Sequence, residues 1–171
     1  MDIMLLDVNN VKKIFGRGLN ATTALNGISF NVDRGEFVAI MGESGSGKST
    51  LLNLIATYDK ATEGTITIDA QNIRQLRNKE IAYFRRDHLG FVFQDFNILP
   101  TMTNKDNILM PLVLANRSHQ TMRHRLYRLS YQLHIEPLLN KYPFEISGGE
   151  QQRVAICRAL INDCLLYTSP S

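Results

Sequence analysis

The alternation of apolar and polar residues in the first third of the chain predicts a small antiparallel sheet. Residues 5–15 alternate imperfectly and residues 27–32 more cleanly, as half-buried strands do. A polar loop joins these two segments, which favours an antiparallel pair. Residues 64–69 alternate strictly and predict a further strand of the same sheet.

Elsewhere the apolar residues follow other patterns. Residues 37–41 and 89–93 are short, continuous apolar runs, which predict buried strands. Helix formers, helical periodicity or capping sequences predict helices over residues 49–56, 72–86, 107–115, 120–133 and 151–161. Together these segments indicate an α/β fold.

Length and composition narrow the class of protein. The 171 residues suit one domain with a real core, and 44% apolar against 20% charged residues is typical of a soluble globular protein. The net charge of +3 neither argues for nucleic acid nor excludes an anionic ligand. We expect a cytoplasmic chain, because no apolar stretch is long enough to span a bilayer and no export signal opens the sequence. Cys157 and Cys164 are expected to be free thiols.

Residues 42–50 carry the pattern G-x-x-x-x-G-K-[ST] between a predicted strand and a predicted helix. The glycines let backbone N–H groups point at anionic oxygens, and the helix directs its positive end to the same place. Lys48 would reach the β- and γ-phosphates of a nucleotide, and the Ser49 hydroxyl would bind Mg²⁺. The alternative is a flexible Gly/Ser turn that happens to contain a lysine. The predicted phosphate-binding residues are Gly42, Glu43, Ser44, Gly45, Ser46, Gly47, Lys48, Ser49 and Thr50.

A second informative stretch lies at residues 146–153. Ser147 and Glu150 form the S-x-x-E capping box, so the simplest interpretation is the start of a helix. However, Gly148 and Gly149 weaken the first turn and leave bare amides at its positive end. This turn is therefore predicted to bind an anion.

Three other features each leave two interpretations open. Phe15 ends the first predicted strand and is either an exposed stacking platform for an adenine or a core residue. Gln94 follows the run 89–93 and is either a ligand contact at the sheet edge or a solvated strand end. Residues 96–100 form either an apolar loop that receives a partner or a cap on the local core.

The order and separation of these motifs resemble the ATP-binding subunit of ABC transporters. The matching motifs are Phe15, GESGSGKST, Gln94 and ISGGEQQR, and the resemblance extends to about residue 164. It implies an α/β P-loop NTPase with an N-terminal antiparallel β-subdomain, a helical signature subdomain at about residues 97–150, and an incomplete parallel core sheet. The stretch HLGFVFQDFNILPTMTNKDNILMPL is similar to bacitracin-type antimicrobial-peptide exporters and, more broadly, to the macrolide-efflux and lipoprotein-release class.

The resemblance also implies roles for individual residues. Phe15 would stack on adenine, where the family more often has Tyr. Ser49 and Gln94 would bind Mg²⁺, and Lys48 and Gln94 would serve catalysis, with Gln94 orienting water. The residues implied to contact ATP held by a second copy of the subunit, in a head-to-tail dimer, are Ser147, Gly148, Gly149 and Glu150. A membrane permease would be the other partner and would hold the chain at the inner face of the cell membrane.

The sequence departs from the family most strongly at its end. Ile146 and Glu150 stand where Leu and Gln are commonest, and neither change is expected to disable the signature. After the signature helix the family has a hydrophobic strand ending in Asp-Glu, and later a switch histidine. Here no acid stands at the expected position, and Asp163 would be a poor substitute. We therefore expect a partial nucleotide-binding domain over residues 1–164, a non-native tail over residues 165–171, and negligible ATP hydrolysis by this chain.

Three alternatives stay open at this point. An ABC-type ATPase of DNA repair or translation would bind nucleic acid, but the long coiled coil of repair members and the second nucleotide domain of translation factors are both missing from this sequence. A P-loop kinase or GTPase would lack the SGG sequence, and an inactive remnant would bind nothing. No nucleic-acid partner is expected, since the arginines of helix 120–133 (Arg123, Arg125 and Arg128) suit a solvated face without interleaved aromatics.

Overall fold

The computed structural model describes residues 4–168, apart from the side chain of Leu19. Within this range the chain divides into two compact units, one ending at Arg85 and the other starting at Arg86. The strands are β1 (Met4–Phe15), β2 (Thr22–Asp33), β3 (Glu63–Ile68), β4 (Gln71–Asn72), β5 (Leu89–Phe91) and β6 (Leu166–Thr168). The α-helices are α1 (Lys48–Ile55), α2 (Asn78–His88), α3 (Asn104–Leu114), α4 (His119–Gln132) and α5 (Gly148–Leu160).

The first unit contains the predicted antiparallel sheet, with the strand order β2-β1-β3-β4. On β1, Val8 and Val11 are buried while Asn9 and Asn10 between them are exposed. The pairing register shifts at this point on both sides of β1, and Asn10 has a positive φ of 46°. The imperfect alternation of residues 5–15 therefore reflects a bulge inside one continuous strand.

Helix α1 starts one residue before its predicted position and packs into the core of this unit. Leu51, Leu54 and Ile55 are buried and lie on one helix face, at positions i, i+3 and i+4. Full burial of each such side chain contributes about 1.5–3 kcal/mol. Since α1 directly follows the glycine-rich loop, this packing fixes the loop against the sheet.

The strand predicted for residues 37–41 is wrong. These residues form no strand, and Phe37 and Met41 are 94% and 88% exposed. A continuous apolar run becomes a buried strand only when neighbouring strands satisfy its backbone and helices cover its faces. Among the described residues of this unit, the four antiparallel strands pair only with one another, so the run lacks the ladder partner that it needs.

The single helix predicted for residues 72–86 is only half right. Asn72 ends β4, residues 73–75 form a 3₁₀ turn, and α2 starts at Asn78. The Asn72 side chain accepts a hydrogen bond from the Arg74 amide at 2.9 Å. Such local side-chain hydrogen bonds compete with helix formation, which explains the late start of the helix.

In the second unit α3, α4 and α5 pack around one apolar core, and a helix was predicted at each of these three places. The Thr103 hydroxyl accepts a hydrogen bond from the Asp106 amide at 3.2 Å and caps α3 as predicted. The buried side chains of this core are Ile108, Leu112, Leu126, Leu129, Ile135, Leu138, Ile146, Val154, Cys157 and Ile161. Cys157 and Cys164 are both buried, free thiols.

A parallel pair, β5 and β6, completes the second unit. β5 is shorter than predicted, since it ends at Phe91, although the Val92 amide still donates to the Thr168 carbonyl at 3.0 Å. Leu166, Tyr167 and Thr168 pair with residues 89–91, and residues 169–171 lie outside the described range. The described chain thus holds two strands of a parallel sheet, and a non-native origin of residues 165–171 stays a prediction.

Candidate nucleotide-binding site

The backbone of the glycine-rich loop leaves donors open at the start of α1. Gly45 and Gly47 have φ values of 82° and 91°, in the left-handed region that glycine adopts without strain. A Cβ at Gly47 would lie 2.5 Å from the Ala24 carbonyl oxygen and 2.8 Å from Leu25 Cδ2, both on β2. Glycine is therefore required where the loop meets the sheet. Because Gly47 is the N-cap and has no side chain, the first amides of α1 are free for an anion.

The Lys48 side chain folds back across this loop. Its ammonium donates to the carbonyls of Gly42 and Glu43, each at 2.7 Å, and lies 3.5 Å from the Ser46 hydroxyl. Neutral carbonyls are weaker partners for an ammonium than phosphate oxygens, so a phosphate could replace them. The predicted phosphate-binding residues differ in exposure. Gly47, Lys48 and Thr50 are half-buried, and the exposed ones are Gly42, Glu43, Ser44, Gly45, Ser46 and Ser49.

These residues fit a nucleotide with Mg²⁺. The ammonium and the open amides suit phosphate oxygens, and the exposed Ser49 hydroxyl in the first turn of α1 suits a hard cation. No cluster of three or more His, Cys, Asp or Glu side chains occurs among the residues that the structure describes.

Phe15 is exposed to 45%, so the structure favours a surface platform over a core position. The Lys13 ammonium lies over its ring, 4.9 Å from the ring centroid. Phe15 pairs with Thr22 of β2, and the same strand meets Gly47 two and three residues later. Thus β2 sets the aromatic ring and the phosphate loop at the same end of the sheet. Stacking on adenine stays a prediction.

The loop after β5 contains Gln94 and residues 96–100, and the latter show features of both interpretations that the sequence left open for them. Gln94 is exposed in the turn that follows the strand. The Arg158 guanidinium donates to the carbonyls of Phe96 and Asn97, both at 2.6 Å, and Ile98 packs against the core of the second unit. The neighbouring Leu99 is exposed. The segment is therefore a core cap at Ile98 and an accessible apolar surface one residue later.

The predicted capping box at the start of α5 is confirmed. The Glu150 carboxylate accepts hydrogen bonds from the Ser147 amide and the Ser147 hydroxyl, both at 2.8 Å, while the Glu150 amide donates back to that hydroxyl at 3.4 Å. The hydrogen bond from the Ser147 amide, followed by the one from its hydroxyl, lowers the pKa of the Glu150 carboxyl. A Cβ at Gly148 or Gly149 would meet nothing within 4 Å. Packing therefore does not require glycine here, and the predicted anion binding by this turn stays a prediction.

The Asp163 carboxylate forms ion pairs with two arginines of α4. Its carboxylate lies 3.1 Å from the Arg125 guanidinium and 3.4 Å from that of Arg128, and Arg125 also donates to the Ile161 carbonyl at 3.0 Å. The prediction of a solvated arginine face is therefore wrong for Arg125, whose side chain is only 21% exposed. Arg123 and Arg128 are exposed, as predicted, and Arg128 adds a surface ion pair.

The predicted site residues fall into two sets. The first unit holds Phe15 and residues 42–50, which β2 brings to one end of its sheet, and the second unit holds Gln94 and residues 147–150. Sequence reasoning missed Lys13, whose position over the Phe15 ring depends on residues 46 and 47 positions later in the chain. Nothing in the local pattern marks that lysine.

Comparison with known proteins assigns the family. The sequence matches the family described as ABC transporter over residues 25–168. It is 47% identical over 158 residues to the ABC transporter ATP-binding protein YxdL of Bacillus subtilis, covering 92% of this chain and 61% of the relative. It is 43% identical over 159 residues to the bacitracin export ATP-binding protein BceA of Halalkalibacterium halodurans, covering 93% and 63%.

A solved structure agrees with this match. A dimeric, post-hydrolysis structure of the ATP-binding cassette MJ0796 of Methanocaldococcus jannaschii, bound to ADP and Pi, superposes with a TM-score of 0.89 at 40% identity, covering 96% of this chain and 73% of that one. The chain spans about three fifths of the length of the two curated relatives. No helix of the described residues is both long and apolar enough to cross a membrane. The protein belongs to the ABC transporter family, as an ATP-binding cassette.

Proposed function

We propose that this chain is the ATP-binding subunit of an exporter, in which ATP binding and hydrolysis drive a membrane permease. The observation that carries the proposal is the Lys48 ammonium, held at 2.7 Å by two loop carbonyls in front of the open amides of α1. A peptide antibiotic or another lipophilic compound is the proposed cargo. Its support is the similarity to a relative whose name describes bacitracin export.

Binding would exchange the partners of the lysine. Phosphate oxygens would replace the Gly42 and Glu43 carbonyls at the Lys48 ammonium, because a negatively charged oxygen attracts the ammonium more strongly than a neutral carbonyl does. Mg²⁺ neutralises phosphate charge when it is bound, and the Ser49 hydroxyl is the group of the first unit proposed to hold it. The exposed ring of Phe15 would stack on the adenine.

A second copy of the subunit would complete the site. The glycine turn at the start of α5 presents unhindered amides, and the Ser147 hydroxyl already lies in the capping network of that turn. These groups suit the γ-phosphate of ATP held by the other copy. The dimeric state of the related cassette MJ0796 supports this arrangement. The permease would place the pair at the inner face of the membrane.

The chain by itself is proposed to turn over ATP negligibly. Attack of water on the γ-phosphoryl group needs a carboxylate that orients and polarises the water. Residues 165–168 carry no acid, and the carboxylate of Asp163 is paired with Arg125 and Arg128. Gln94 can orient water, but an amide is a poor proton acceptor at neutral pH.

Calorimetric titration of Mg-ATP into the full chain tests the proposal. The unaltered chain is expected to bind, and Lys48→Ala should weaken binding by about 10- to 100-fold, the loss expected for a hydrogen bond to a charged group. Lys79→Ala is the matched control, since Lys79 lies exposed on α2 and should leave affinity unchanged. Equal affinity of the parent and Lys48→Ala would contradict the proposed site. Retention of the chain on nucleic acid at moderate salt, without capture by permease-containing membranes, would contradict the transporter role.

A further inference from the structure

The Lys13 ammonium lies in a small polar cluster beside the Phe15 ring. It donates to Asp59 Oδ1 at 2.7 Å and to the Lys60 carbonyl at 2.9 Å, and it sits 4.9 Å from the centroid of the ring. Its side chain is only 12% exposed, which is unusual for a lysine without a structural partner. Partial burial would raise the pKa of the Asp59 carboxyl, but the hydrogen bonds from Lys13 and the Lys60 amide outweigh burial and lower it. The Asp59 carboxyl is therefore ionised at neutral pH.

Asp59 and Lys60 belong to the segment that leaves the C-terminal end of α1. This segment is fastened to β1 by two further hydrogen bonds. The Thr62 amide donates to the Lys12 carbonyl at 2.8 Å, and the Ile14 amide donates to the Thr62 hydroxyl at 3.0 Å. The strand that ends at Phe15 is thus joined to the helix that starts at the phosphate loop.

We propose that Lys13 and Asp59 are positioning residues that hold the Phe15 ring as a preorganised platform for the nucleotide base, at a fixed place relative to the phosphate loop. This inference rests on the proposed function, since it assumes that the loop binds the phosphates of ATP. It concerns the base only. The phosphate contacts belong to Lys48 and the amides of α1.

The physical reason is the conformational freedom that the ring would otherwise have. Phe15 is half-exposed at a strand end and is followed by Gly16, so packing alone does not fix its rotamer. An ammonium over one face attracts the ring electrostatically and restricts it. A base that stacks on the remaining surface then binds a ring that is already ordered, which reduces the entropic cost of binding.

Paired titrations of the full chain with Mg-ATP and with inorganic tripolyphosphate test this inference. Lys13→Met keeps the apolar stem of the side chain and removes its charge. It is expected to weaken ATP binding by about three- to tenfold and to leave tripolyphosphate binding unchanged, because only the base contact is loosened. Asp59→Asn should shift ATP affinity in the same direction, and the double variant should lose less than the sum of the two.

The neighbouring lysine provides the matched control. Lys12 forms a comparable ion pair with Glu63 at 2.9 Å, but its side chain leaves β1 on the other face of the sheet. Lys12→Met should therefore bind both ligands like the parent, and Lys13→Arg should restore most of the ATP affinity.

The outcomes of these titrations distinguish failure of the positioning role from failure of the proposed function. Unchanged ATP affinity in a folded Lys13→Met that still binds tripolyphosphate would overturn the positioning role while leaving the proposed function standing. A parallel loss of both ligands would also overturn it, since the lysine would then act on the loop or the fold. Failure of the parent chain to bind tripolyphosphate or ATP would instead refute the proposed function itself.

Discussion

Gly90→Ala tests the packing of the parallel strand pair. Gly90 is buried and pairs with Tyr167, and a Cβ there would lie 2.3 Å from Tyr167 Cδ1 and 2.8 Å from the Ala159 carbonyl oxygen of α5. The partly exposed tyrosine ring can move, but the Ala159 carbonyl belongs to the backbone of α5 and moves only if the last turn of the helix shifts. The added methyl group therefore forces a shift of β5 against α5.

The expected cost follows from two opposing effects. Overpacking of a filled site destabilises by about 1–3 kcal/mol. Alanine reduces the entropy of the unfolded chain relative to glycine, which offsets about 0.4–1 kcal/mol. We expect Gly90→Ala to lower the free energy of unfolding by about 1–2 kcal/mol in urea titrations followed by circular dichroism. The m-value, which is the slope of that free energy against urea concentration, should stay unchanged.

Two companion variants sharpen this measurement. Gly149→Ala is the control, because its Cβ meets nothing within 4 Å in the first turn of α5, and alanine there should stabilise by up to about 1 kcal/mol. Tyr167→Ala combined with Gly90→Ala should recover part of the loss through relief of the ring contact. If Gly90→Ala unfolds at the same urea concentration as the parent, the placement of residues 166–168 beside β5 is refuted.

Two further predictions concern the N-terminal cap of α5 and the ionisation of three side chains, two thiols and one phenol. Ser147→Ala should lower the free energy of unfolding by about 1 kcal/mol in the same urea assay. Ser147→Asn can still cap α5 and should unfold with nearly the free energy of the parent. An equal loss of unfolding free energy in both variants would contradict the capping role of Ser147. Burial raises the pKa of Cys157 to about 12, of Cys164 to about 11 and of Tyr167 to about 12. The folded-state pKa values exceed the ordinary values of 9.0 for a thiol and 10.0 for a phenol. The contribution of these groups to stability is therefore complete below pH 9.0 and is lost as the pH rises through the folded pKa values, so the urea midpoint should fall above pH 9.0. A midpoint that stays constant up to about pH 10.5 would contradict this burial.

The sequence by itself determined the features that depend on neighbouring residues. The cap of α3 by Thr103 and the capping box of Ser147 and Glu150 were predictable, because each side chain acts on a backbone group within about one helical turn. The start of α1 was predictable from the glycine-rich motif that directly precedes it. The antiparallel pairing of β1 with β2 and β3 was predictable from alternation, because one face of that sheet is buried. The order of the motifs also indicated the family, which the comparisons confirm.

Tertiary structure decided what depends on distant partners. The apolar run at residues 37–41 has the composition of a buried strand, yet without a ladder partner among the described residues it leaves Phe37 almost fully exposed. Arg125 looks like a solvated arginine until Asp163 is placed beside it.

The same holds for the glycines and for the base platform. Gly47 and Gly149 look alike in sequence, but a Cβ would clash with β2 at Gly47 and would meet open space at Gly149, so only the first is required by packing. Phe15 could have been a core residue, and only the structure shows its ring exposed beside Lys13, whose ammonium is bonded to Asp59, 46 residues later in the chain. Local hydrogen bonds are encoded within a few residues, whereas burial and charge pairing are settled only when remote segments meet.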